Sequence, residues 1–152
     1  MNYETEKTFD TATDLLQLVT FKLGNEEFGL EILKVKEIIK PVTITSMPNS
    51  PFYVEGVINL RGEVIPVISL RKRLGLEESE INSKTRIIVI ETDKKTTGFI
   101  VDEVNEVLRI PENIMEPTPE LVSSVDSDYI TGVGKLEDRL LILMDIDRIM
   151  MK

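Results

Sequence analysis

The sequence predicts an all-β protein with one or two short helices, built as two small β-barrel subdomains. Three observations carry that prediction. Apolar runs of about five to seven residues alternate with period two. Glycine, proline and asparagine interrupt them at short intervals. No helical period persists beyond about two turns. Short strands with frequent turns are the pattern of small barrels.

Taken in order, residues 1–14 carry little periodicity and are expected to form a flexible tail. "LLQLVTFKL" (15–23) alternates, "GNEE" is a turn signal, and "FGLEI" (28–32) completes a hairpin. "KVKEII" (34–39) reads as a further strand, with Pro41 and Pro48 punctuating the connection after it. "GVINLRGEVIPVISL" (56–70) is a second hairpin folded over a Leu-Arg-Gly corner. "LRKRLG" (70–75) reads as one helical turn closed by Gly75. The polar stretch "LEESEINSK" (76–84) marks an internal boundary. Beyond it, "RIIVIET" (86–92), the turn "DKK" and "TGFIV" (97–101) form a third hairpin, and "EVNEVLRI" (103–110) a strand before "PENIMEPTP". "YITGVGKLEDRLLILMDIDRIM" (129–150) reads as two strands and a helical turn.

Composition narrows the function. With 152 residues, 41% of them hydrophobic, the chain can bury a core as one ordinary domain or two very small ones. It holds no run of about 18 apolar residues, so no membrane-spanning helix is expected, and "MNYETEKTFD" lacks the layout of a secretory signal. Cysteine is absent, which removes disulfides and thiolate metal sites and fits a cytoplasmic protein. Histidine is absent too, so there is no imidazole base or ligand. A carboxylate-dependent hydrolase stays open on these grounds. The 27 acidic residues against 18 basic, and only eight aromatics, argue against a barrel that binds single-stranded nucleic acid or oligosaccharide. No cofactor is expected, and proteins or neutral ligands are the expected partners.

The chain repeats itself. "GLEILKVKEII" (29–39) aligns with "GFIVDEVNEVL" (98–108) at a shift of 69 residues, Gly29 to Gly98. "GVINLRGEVIPVISLRKRL" (56–74) aligns with "GVGKLEDRLLILMDIDRIM" (132–150) at a shift of 76, Gly56 to Gly132. Two blocks in the same order imply two related subdomains, about 15–75 and about 85–150, meeting along an apolar seam; strand exchange between them is compatible with the pattern. At the hairpin tip the first copy has Leu60-Arg61-Gly62 and the second Leu136-Glu137-Asp138, so the scaffold is kept while the charge reverses.

Several residues stand out. Arg61 admits three readings: a solvated tip, a partner for a carboxylate (Glu37 being the candidate), or an interface cation on a rigid tip. Gly56 and Gly98 serve a bulge or tight bend, or let another backbone approach. Ile32, Val35, Ile58, Ile87 and Val101 are either core or apolar patches for a partner to cover. Asp126 and Asp128 have calcium-loop spacing but lack its glycine and terminal glutamate, so "SSVDSDY" reads as a polar loop. Asp145 and Asp147 read as acids at a helix start.

"GNEEFGLEILKVKEII", "FYVEGVINLRGEVIPVISLRKRLG", "GFIVDEVNEVLRI" and "YITGVGKLEDRLLILMDIDRIM" together resemble the CheW-like domain family of bacterial chemotaxis coupling proteins, in family order over about residues 15–152. The resemblance implies two five-stranded barrels side by side around a shared hydrophobic core. It also implies a non-catalytic adaptor that couples the histidine kinase CheA, through its regulatory domain, to the cytoplasmic helical hairpin tips of chemoreceptors. Such a protein is cytoplasmic, does not insert into the membrane itself, and is recruited to membrane receptor arrays. Carried onto this chain, receptor coupling falls on Arg61, with Glu37 as its paired acid, and on Ile87, Gly98 and Val101; kinase coupling falls on Val35, Gly56 and Ile32. Arg86 stands where the family pattern would open a strand with an apolar residue. The length leaves no room for a kinase, phosphoacceptor or receiver domain.

Overall fold

The computed structural model describes residues 15–93, 95–117 and 125–150. The segment read as a tail, residue 94 of the "DKK" turn and residues 118–124 lie outside these. The elements are β1 (Leu15–Leu23), β2 (Glu26–Glu31), β3 (Val35–Ile39), β4 (Val54–Leu60), β5 (Glu63–Ser69), α1 (Leu70–Arg73), β6 (Arg86–Glu91), β7 (Thr96–Val101), β8 (Glu103–Pro111), β9 (Met115–Glu116), β10 (Ile130–Leu136), β11 (Arg139–Met144) and α2 (Ile146–Met150). The protein is mainly β with two short helices, as its alternation requires.

Local chemistry sets the boundaries. Gly24 at φ +63° supplies the left-handed residue of the β1–β2 turn. The Ser69 hydroxyl accepts from the Lys72 amide at 3.3 Å and starts α1, and Gly75 at φ +79° follows its end. An Asp145 carboxylate oxygen accepts from the Arg148 amide at 3.1 Å and starts α2. Asp126 likewise accepts from Asp128 N, so this loop acid is spent on its own backbone.

The strands form two sheets. One runs β8-β1-β2-β11-β10-β9 and the other β3-β6-β7-β5-β4. All neighbours are antiparallel except β2–β11 and β5–β7. Under the internal repeat, β8-β1-β2-β11-β10 matches β3-β6-β7-β5-β4 strand for strand. Each sheet takes its central hairpin from the other half of the sequence: β1–β2 sits among β8, β10 and β11, and β6–β7 among β3, β4 and β5. The two-residue β9 gives the first sheet a sixth strand where five were expected. Its counterpart in the other sheet is a single bridge, Thr45 to Val57. Neither sheet closes through backbone hydrogen bonds among the described residues, so the expected barrels are rolled sheets with open seams.

Three apolar clusters explain this arrangement. Ile58, Ile65, Val67, Ile87 and Val89 fill the inside of the five-stranded sheet, and Leu18, Ile110, Leu141 and Leu143 that of its counterpart. A larger cluster lies between the sheets and draws Val19, Phe21, Phe28 and Leu30 from one and Ile88, Ile90, Phe99 and Val101 from the other. The exchanged hairpins are therefore buried on both faces. Leu18 to Phe21 and Ile87 to Ile90 are buried without interruption, the property that makes "LVTF" and "IIVI" continuously apolar apart from one threonine. That threonine, Thr20, is satisfied: its hydroxyl bonds both the carbonyl and the amide of Glu106 at 3.2 Å, where β8 bulges. Phe21 and Phe28 stand opposite each other across β1–β2 with ring centroids 5.8 Å apart.

A polar clamp joins the sheets at their edge. Asp102, between β7 and β8, accepts Nε of Arg71 at 2.9 Å and the amide of Gly24 at 2.7 Å. Burial alone would raise the Asp102 pKa, but the Arg71 hydrogen bond, the Gly24 amide and the Arg71 charge outweigh it and hold the carboxyl below the ordinary carboxylate range. A depressed carboxylate stabilises the fold above its unfolded pKa, and that contribution is lost as pH falls through the folded value. The stability advantage of wild type over Asp102→Asn, followed by urea unfolding, is therefore expected to shrink as pH drops below about 4. At neutral pH, Phe28→Ala should lower unfolding free energy by about 3–5 kcal/mol, read in the same titrations.

Candidate functional site

The β4–β5 hairpin turns on two residues, Arg61 at φ +51° and Gly62 at φ +90°. Positive φ at both central positions is the turn whose twist matches paired strands. Asn59 reinforces it, its side-chain carbonyl accepting the Gly62 amide at 2.9 Å. Glycine suits this geometry; arginine in the left-handed region is disfavoured by about 1–2 kcal/mol. The matching tip of β10–β11, Glu137-Asp138, has no positive φ. The repeat thus differs at this corner in backbone as well as in charge.

The Arg61 guanidinium bonds the Glu37 carboxylate. This decides between two of the readings of Arg61, since the cation is paired, yet 68% of its side chain remains exposed. β3 and β4 are the two edges of the five-stranded sheet, so the pair spans the open seam of the roll. Lys36 adds to it, lying 3.5 Å from Glu63 and 3.9 Å from Glu91. An exposed pair contributes about 0–1 kcal/mol. That does not exceed the left-handed penalty, so stability gives no reason for an arginine here. Ile38 and Val64, which follow Glu37 and Glu63 in the chain, are exposed at 39% and 65%.

The other sequence-selected residues divide by burial. Ile87, Gly98 and Val101 are buried and present no side-chain surface, as is Ile58. A Cβ on Gly98 would stand 2.8 Å from the Ile87 side chain, so these two form one fitted interior contact. Val35 and Ile32 are half-buried against the central cluster. Gly56 lies at a bulge in β4 with φ +148°, and a Cβ there would meet the Thr45 carbonyl oxygen at 2.1 Å. Both glycine readings hold at this position: the strand bulges, and the chain before it returns to exchange hydrogen bonds of 2.9 and 2.8 Å between Thr45 and Val57. That return sets the surface where Met47 and Phe52 are exposed.

Seven of the eight selected residues lie on the five-stranded sheet or at its β4–β5 turn, and Ile32 is in the turn leading into β3. Sequence reasoning did not single out Lys36, or the corresponding network on the other sheet. There Arg139 on β11 bonds Glu106 on β8 at 2.7 Å and lies 3.1 Å from Glu27 on β2. The signal was charge at strand edges, which becomes legible only once the edges are known. No group of acidic side chains able to hold a metal occurs among the described residues.

Three comparisons bear on the chain as a whole. A family model described as the CheW-like domain matches residues 17–152. The chain is 39% identical over 140 residues to the chemotaxis protein CheW of Helicobacter pylori, covering 91% of this chain and 84% of that protein. It is 40% identical over 136 residues to that of Bacillus subtilis, covering 90% and 87%. The crystal structure of the scaffolding protein TtCheW from Thermoanaerobacter tengcongensis superposes with a TM-score of 0.79 at 41% identity, covering 86% of this chain and 88% of that one.

The energetics of the tip can be checked directly. Arg61→Gly removes the ion pair and the left-handed penalty together, so its urea midpoint should equal or exceed that of wild type, whereas Glu37→Gln should cost less than about 1 kcal/mol. Gly56→Val should lower stability by several times as much, because the backbone contact leaves no room for a side chain.

Proposed function

The chain belongs to the CheW-like domain family, and on that premise we propose that it is a non-catalytic adaptor of bacterial chemotaxis that couples the histidine kinase CheA to the cytoplasmic tips of chemoreceptors. The observation that carries the reading is Arg61: a mostly exposed guanidinium held on a two-residue turn in a conformation that stability does not reward. A rigid tip loses little side-chain freedom on binding, and arginine is enriched among residues that dominate interfaces. Arg61 and Glu37 are assigned to receptor coupling, with Ile87, Gly98 and Val101 shaping that surface from inside. Val35, Ile32 and Gly56 are assigned to kinase coupling, Gly56 through the segment it lets return to β4.

Coupling of this kind makes and breaks no covalent bond. A typical specific interface takes roughly 800 Å² from each partner, and the protein exposes 9074 Å² in all, enough for two such patches. The proposed location is the cytoplasmic face of receptor arrays, reached by protein contact; no helix among the described residues is long and apolar enough to cross a membrane.

Co-sedimentation with purified kinase and a receptor cytoplasmic fragment, each alone and together, tests the proposal. Wild type should sediment with either partner. Arg61→Glu should lose about tenfold or more in receptor affinity while keeping most of its kinase binding, because a rim charge is reversed beside Glu37. Unchanged receptor binding by a folded Arg61→Glu variant would remove Arg61 from the interface. Binding of wild type to neither partner would sink the adaptor reading.

A further inference from the structure

Helix α1 has four residues, too few to hold its own shape, so its place is set by what its side chains grip. Leu70 is fully buried, and three consecutive cations come after it. Each holds a different element. Arg71 takes Asp102 where β7 passes into β8, and through it the β1–β2 turn at Gly24. Lys72 lies 2.7 Å from Glu55, the neighbour of Gly56 on β4. Arg73 reaches into the other half of the sequence: Nε donates to the Ile149 carbonyl at 2.9 Å and a terminal nitrogen donates to the Tyr129 hydroxyl at 2.7 Å.

The partners of Arg73 are related by the repeat. Its guanidinium lies 4.8 Å from the centroid of the Tyr53 ring and 5.0 Å from that of Tyr129, and these tyrosines are equivalent at the 76-residue shift. The residue equivalent to Arg73 itself is Ile149, whose carbonyl it holds. Arg73 therefore grips equivalent positions of both halves. Tyr53 leads into β4 of the five-stranded sheet, while Tyr129 leads into β10 and α2 follows β11 of the other. The apolar cluster between the sheets supplies non-directional adhesion. Around it, the fork of Arg73 and the bidentate Arg71–Asp102 pair add directional bonds from one sheet to the other.

We propose that α1 is the joint that fixes the angle between the two sheets, with Arg73 as its positioning residue, and that this fixed angle lets the chain hold two partners in a productive relation. The second half of the proposal rests on the adaptor reading above. Loosening the joint would leave each binding surface intact and degrade only their joint use.

Two variants test it. Arg73→Lys keeps the charge and loses the fork; Tyr129→Phe keeps the ring and loses the acceptor. Because the chain has no cysteine, single cysteines at exposed Val64 on β5 and Lys135 on β10 can carry spin labels across the two sheets. Wild type should give a narrow inter-label distance distribution and both variants a broadened one, with unchanged circular dichroism. Unlabelled variants should bind kinase or receptor fragment singly within about twofold of wild type, while kinase stimulation in the three-component mixture falls about fivefold or more. Distributions as narrow as wild type in folded variants would overturn the joint. Loss of stimulation matched by equal loss of single-partner binding would overturn its coupling role. If Arg73→Lys fails to fold, Tyr129→Phe carries the test. Wild type that binds neither partner would fail the adaptor reading alone, with the distance measurement still deciding the joint.

Discussion

Burial of two hairpins on both of their faces is the constraint on which the rest of this structure depends. β1–β2 and β6–β7 each contribute one face to the interior of a rolled sheet and the other to the cluster between the sheets. A hairpin in that position cannot be removed without opening two cores at once. It also leaves the remaining strands of each half short of partners until the other half delivers its hairpin. The sheets are consequently interlocked and cannot behave as two beads on a string. The polar contacts at α1 are built on top of that interlock and refine it.

Much of this was legible in the sequence because it depends on local pattern. Alternation located the strands, glycines and prolines located the turns, and the repeat located the equivalence of the halves. The Leu60-Arg61-Gly62 corner likewise made the tip of the β4–β5 hairpin recognisable. What sequence could not supply was pairing across distance. The bonds of β2 to β11 and of β5 to β7 join residues far apart in the chain, and neither strand carries a local mark of its partner. One trace of the exchange was present: "IIVI" has no polar alternation, as a strand covered on both sides requires. The two-residue β9 left no such trace, since its pairing is made by Met115 and Glu116 in a stretch punctuated by prolines.

The site was partly legible for the same reason. Arg61 and Glu37 could be matched as opposite charges, and the structure joins them, but that their bond crosses the open seam of a sheet is a property of strand order. Ile87, Gly98 and Val101 stood out as apolar or small residues on strands; the structure places them inside, where they present no side-chain surface. The cations of α1, Arg71, Lys72 and Arg73, fall in a stretch that the sequence marks only as one helical turn. Their separate destinations on β4, on the corner at Asp102 and on α2 appear only in three dimensions.

The interlock also bears on how the chain comes to be folded. β2 ends its incomplete state only when β11, far along the sequence from it, lies alongside it. A nascent chain leaving the ribosome therefore exposes the apolar side of its first hairpin until the residues of β11 have emerged. Pairings that close such long loops are intrinsically slow. Folding of the interlocked sheets is thus expected to be an all-or-none event, and the time the first hairpin spends uncovered sets how strongly the emerging chain depends on chaperones.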